Sequence, residues 1–177
     1  MNLYIELKKN HNQLLIRFGN LFEYQKVLLM RHILIALSSY TNKKFLIYIN
    51  GLEVTIDHFL SEITSQNYQY SREKKGLLFV KELANIYLLT DNEADMDTVA
   101  TYFGAFNEGY IKIQVLDSPH MIDIQHVSPE QLDAYVSKKC ILEFLVEPDG
   151  DFLTLTKFDQ QVNLEYICFS IKNICNE

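Results

Sequence analysis

Apolar and polar residues alternate at every second position in some stretches of this chain and recur every three to four positions in others. These two periods mark half-buried strands and amphipathic helices. Tyr110 to Leu116 sets Ile111, Ile113 and Val115 against Lys112 and Gln114, the pattern of a strand with one wet face. Met121 to Val127 repeats the alternation and is likewise predicted as a strand. Leu3 to Leu7 and Leu14 to Phe18, separated by the polar Lys8 to Gln13, predict a hairpin with a longer loop. Phe45 to Ile49 is a compact apolar strand, and Asn50-Gly51 predicts a type I′ turn after it, with Leu52 to Val54 returning. Leu77 to Val80 and Ala84 to Leu89 read as a strand pair or one long bent strand. Ile141 to Val146 and Phe152 to Thr156 flank Pro148-Asp149-Gly150 and predict an antiparallel hairpin.

Five stretches carry helical signals. Over Asn20 to Tyr40, Asn20 and Glu23 form a capping-box pair and apolar residues cover nearly the whole circumference, which predicts a buried central helix. A short amphipathic helix is predicted over Asp57 to Thr64. Asp91 or Asn92 caps a helix over Glu93 to Phe106, its first turn acidic where the helix dipole favours negative charge. Ser128-Pro129-Glu130-Gln131 starts another, with proline at the first helical position, ending near Ser137. Asn163 to Cys175 holds Leu164, Ile167, Cys168, Ile171, Ile174 and Cys175 in one stripe. Ser65 to Gly76 has little periodicity and reads as the most mobile loop. Mixed elements, hairpins outnumbering crossovers and no repeat predict an α+β fold. The expectation is a single domain over 1–177, its mostly antiparallel or mixed sheet packed on the central helix and several shorter ones.

Composition narrows the class. With 48% hydrophobic residues in 177, the chain can bury a core, which removes disordered and low-complexity readings. The longest run without a charged residue, His32 to Asn42, is 11 residues, about half of what a bilayer-spanning helix needs. The opening residues do not resemble an export signal, so a cytoplasmic protein is expected. Cys140, Cys168 and Cys175 contain no CxxC pair, and a seven-residue spacing on one helix holds the last two roughly 10 Å apart, too far for a disulfide. Free thiols in a reducing compartment are expected.

Chemistry is marked mainly by missing signatures. The sequence contains no phosphate-binding glycine loop, no GxSxG, no HExxH and no CxxC. No cofactor, metal or catalytic residue is assigned. His120, Asp123 and His126 form the best metal-like group, yet on a strand the histidines sit roughly 20 Å apart with Asp123 facing away. His11, His32 and His58 read as structural or surface histidines. Tyr68, Tyr70, Arg72, Lys74 and Lys75 interleave aromatics with positive charge, the look of a single-strand nucleic-acid contact, but the patch is short and interrupted by Glu73.

Charge separates along the chain. Residues 1–81 hold 11 basic and 6 acidic side chains, whereas 82–177 hold 5 basic and 17 acidic. An acidic face repels nucleic acid and membrane and attracts a cationic protein. The candidate partner-binding residues are therefore Asp91, Glu93, Asp95 and Asp97, with Glu147, Asp149 and Asp151 at the hairpin tip and Tyr102 as an aromatic anchor. The expected function is a non-enzymatic protein that neutralises or chaperones a basic partner protein. Such a small, acidic α+β chain is similar in character to the immunity proteins that restrain nuclease toxins, and to the acidic chaperones of secreted effectors. The likeness is one of composition and assigns no residue a role. Two other classes are a hydrolase or transferase with a site built from separated residues, and a single-stranded nucleic-acid-binding module.

Overall fold

The computed structural model describes residues 4–8, 10–17, 23–38, 43–75, 81–103, 110–118, 120–146 and 152–176. Within them lie eight strands and five α-helices. The strands are β1 (Tyr4–Leu7), β2 (Gln13–Arg17), β3 (Lys43–Leu52), β4 (Tyr68–Lys75), β5 (Lys81–Thr90), β6 (Tyr110–Asp117), β7 (Cys140–Val146) and β8 (Phe152–Lys157). The helices are α1 (Glu23–Ser38), α2 (Glu53–Glu62), α3 (Glu93–Tyr102), α4 (Pro129–Lys139) and α5 (Leu164–Asn176). All the strands join one sheet in the order β1-β2-β8-β7-β6-β3-β5-β4, and every neighbouring pair is antiparallel. The fold is α+β.

Alternation decides what each face of the sheet meets. Ile47 and Ile49 on β3, Ile86 and Leu88 on β5, Ile113 on β6 and Phe144 on β7 point to one side and are buried. Each such side chain, fully taken from water, contributes about 1.5–3 kcal/mol before its entropy cost. Helices cover that side, neighbour by neighbour in the order α5, α1, α3, α2. Helix α1 is central in this layer, and its burial is one-sided: Leu29, Met30, Ile33 and Leu34 pack inward, whereas Tyr24 is 68% and Leu28 50% exposed. On the opposite side of the sheet a smaller cluster joins Leu46, Leu89 and Leu116 to Leu132 and Val136 of α4 and to Ile124. That side also carries Tyr48, Asn50, Asn85 and Tyr87; the two tyrosine rings lie 4.6 Å apart and Asn85 Oδ1 accepts from both Tyr48 Oη and Asn50 Nδ2 at 2.7 Å.

Three expectations are corrected. Asn50-Gly51 is no hairpin turn, because β3 runs straight through it, hydrogen-bonded to β5 and, as far as Asn50, to β6, and Gly51 lies buried beside Ala84. Two flanking strands outweigh the local turn preference. Ser65 to Gly76 is mainly β4, an edge strand whose charged residues need no buried face on its outer margin. Met121 to Val127 forms no strand: it holds a 3-10 turn, Ile124–His126, fixed by Asn67 Nδ2 donating to the Ile122 carbonyl at 2.7 Å and Ile124 N donating to Asn67 Oδ1 at 2.8 Å. The Pro148-Asp149-Gly150 turn, residues 77–80 and the Asn20 cap lie outside the described residues. No described helix is long and apolar enough to cross a membrane.

Candidate functional site

Helices α2 and α3 lie side by side at one end of the helix layer. Their ends are fastened by Asp95, a residue 0% exposed. Its Oδ1 accepts from the Thr64 backbone N–H at 2.7 Å and the Thr64 hydroxyl at 2.8 Å, and its Oδ2 accepts from the Thr90 hydroxyl at 2.7 Å. Asn92 completes the joint: its Oδ1 caps α3 by accepting from Ala94 N at 2.9 Å, and its Nδ2 donates to Thr64 Oγ1 at 2.7 Å. One buried carboxyl thus ties the end of β5, the start of α3 and the residues after α2 together.

Farther along the seam, Tyr102 packs edge-on against Phe59 with centroids 5.6 Å apart, and its hydroxyl contacts His58 Nδ1. Burial, reinforced by the Glu62 carboxylate, pushes the Tyr102 hydroxyl above the ordinary tyrosine value. His58 Nδ1 also lies 3.4 Å from Glu62. At the start of α2, Arg72 of β4 reaches Glu53 at 2.7 Å, Asp57 at 3.6 Å and the Tyr70 hydroxyl at 3.0 Å. Beside it, Leu52, Glu53, Val54, Asp57 and Glu82 line an open cleft of about 350 Å³. Helices α2 and α3 together contain six carboxylates and neither a lysine nor an arginine.

The anticipated binding residues separate under this geometry. Glu93 and Asp97 are exposed on α3, and Tyr102 stands half-buried at the seam. Asp97 is gripped by Arg31 of α1, Nε to Oδ1 at 2.6 Å and Nη2 to Oδ2 at 3.1 Å. Asp91 is held by Lys44. Asp95, expected on the surface, is instead the buried joint, so it is removed from the docking set: the 3.6-residue helical period sets Glu93 and Asp97 on one side of α3 and turns Asp95 to the opposite, inward side. Glu147, Asp149 and Asp151 lie outside the described residues. Sequence reasoning missed Asp57 and Glu62, although both fall on the polar side of the predicted α2 and that signal was readable.

The other candidate chemistries find these positions. Lys74 pairs with Glu82 at 3.1 Å, so the described cations Arg72 and Lys74 of the aromatic-basic strand are engaged with carboxylates. His126 Nδ1 sits 2.9 Å from Asp123, and this contact, together with the Gln125 backbone N–H, holds the Asp123 carboxyl below its usual range. Among the described residues no three His, Cys, Asp or Glu side chains form a group able to hold a metal ion. In comparisons with protein-family models, with curated proteins and with solved structures, the chain has no match.

Proposed function

We propose that this protein is a non-enzymatic protein-binding protein that neutralises or chaperones a basic partner, in the manner of a toxin-neutralising immunity protein. The docking face is the α2–α3 pair. One observation carries the reading: two adjacent helices carry Glu53, Asp57, Glu62, Glu93 and Asp97 with no lysine or arginine of their own, and Tyr102 stands half-buried between them beside Phe59 and His58. Arg31 and Arg72 flank this face from α1 and β4 and offset part of its charge. The remaining negative potential steers a cationic protein toward it, and Tyr102 with the exposed Val54 supplies apolar contact area. A basic nuclease is the kind of partner such a face suits, since nucleic-acid-binding surfaces are cationic.

The test uses the product of the open reading frame immediately upstream. Purified and mixed with this protein, it is expected to be basic and to bind, with an association rate that falls roughly 10-fold as ionic strength rises from about 0.05 to 0.5 M. Absence of binding, or an association rate indifferent to salt, overturns the reading.

A further inference from the structure

At the far end of the helix layer from α2, helices α1 and α5 pack against each other and turn aromatic and aliphatic side chains outward. Tyr166 is 62% and Phe169 63% exposed on α5, and Tyr24 and Leu28 are exposed on α1, the helix packed against it. Four large apolar residues displayed on two neighbouring helices make a patch of the kind that marks an interaction surface. We propose that this face pairs with a second copy of the same chain.

Charge identifies the occupant. On the outer stripe of α5, Glu165 and Lys172 lie seven residues apart, with Tyr166 and Phe169 between them. Seven residues are two helical turns, so both charges stand on one side of the helix, roughly 10 Å apart. An antiparallel α5 from a second copy sets Lys172 against Glu165 twice, with the aromatic pairs in the middle, as a two-fold interface requires. Within its own chain Glu165 also approaches His11 Nδ1 at 3.0 Å through one of its two oxygens. A uniformly basic partner would meet Lys172 with like charge. Two helices roughly 20 Å long, packed on the same pair, remove roughly 500–800 Å² per copy from water, at the lower edge of a stable interface. A dimer with micromolar dissociation is expected.

Sedimentation equilibrium of the purified protein alone, from low to high micromolar concentration, tests this independently of any basic partner. A monomer–dimer equilibrium is expected, and Phe169→Glu or Leu28→Glu weakens it roughly 30-fold or more while thermal unfolding stays close to wild type. Lys172→Glu weakens it roughly 10-fold, because symmetry breaks the contact twice, and combining it with Glu165→Lys restores the dimer. A chain that stays monomeric at every concentration, or a dimer unmoved by these variants, overturns the proposal. So does a Lys172→Glu defect that the second substitution leaves unrepaired.

Discussion

Asp95 Oδ2 accepts the Thr90 hydroxyl at 2.7 Å in a site closed to solvent, and the same carboxyl holds Thr64 through its other oxygen. Replacing Asp95 with alanine strands the buried Thr90 hydroxyl and removes the acceptor of the part-buried Thr64 N–H and hydroxyl. The expected loss is about 2–4 kcal/mol in urea unfolding, because buried donors left without partners cost more than the bonds themselves contribute. Thr90→Val, which removes one donor and keeps the shape, is expected to cost about 1 kcal/mol. Equal losses from the two variants would show that Asp95 is not the centre of the joint.

The α2–α3 face predicts a kinetic signature. Glu62→Lys combined with Glu93→Lys should slow capture of the basic partner roughly 10-fold and change its dissociation much less, since exposed charges act mainly on encounter. Asp133→Lys, on α4 across the sheet, should leave both rates unaltered. Stopped-flow mixing separates the two rates; a slowing by Asp133→Lys as large as by the face variant would relocate the docking surface.

Helix α4 starts with a reciprocal cap: Ser128 Oγ accepts from Gln131 N at 3.3 Å and Gln131 Oε1 accepts from Ser128 N at 3.0 Å. Ser128→Ala is expected to lower stability by about 1 kcal/mol, seen as a drop of about 2–4 °C in Tm. Ser137→Ala, near the other end of the same helix, should change Tm by less than about 1 °C.

Burial, with a contribution from the Glu143 carboxylate, pushes the Cys140 thiol up to about 11 from an ordinary value near 9. At pH 8 its thiolate is therefore about 100-fold scarcer than that of an ordinary thiol, and its reaction with a disulfide reagent is slower in proportion. The unfolded chain loses this proton first as alkali is added. The stabilisation tied to the protonated thiol is thus complete below pH 9 and declines as pH climbs from 9 toward 11. Comparing wild type with Cys140→Ser, folded and in urea, isolates this group; equal reactivity of Cys140 in both states would contradict its burial.

The elements with strong local grammar were legible in advance. The Ser128-Pro129-Gln131 start, the Asn92 cap, the alternation in β6 and the stripe of α5 reappear with bounds shifted by a few residues. What escaped prediction depends on distant partners. Asn50-Gly51 carries a turn signal, but Asn85 and Ala84 of β5 and Tyr110 of β6 pair with it and hold it extended, and no local window contains them. Tyr68 to Lys75 carries charge within a strand because Arg72 and Lys74 find carboxylates on α2 and β5 while Tyr68 and Tyr70 pack against the core, and it borders one neighbouring strand only. The acidic stretch Asp91 to Asp97 was found, yet the sequence could not say which carboxylate turns inward or which meets Lys44 or Arg31, since those contacts join residues far apart along the chain.

Strand β2 takes its place between β1 and β8, so Gln13–Arg17 completes its ladder only with Phe152–Lys157. During synthesis the β1–β2 hairpin leaves the ribosome long before β8 exists, and it waits with one margin unsatisfied. Closure of the sheet is thereby postponed until Phe152–Lys157 has emerged, which makes a chain cut short before β8 a sticky one and gives a holding chaperone its longest opportunity at that hairpin.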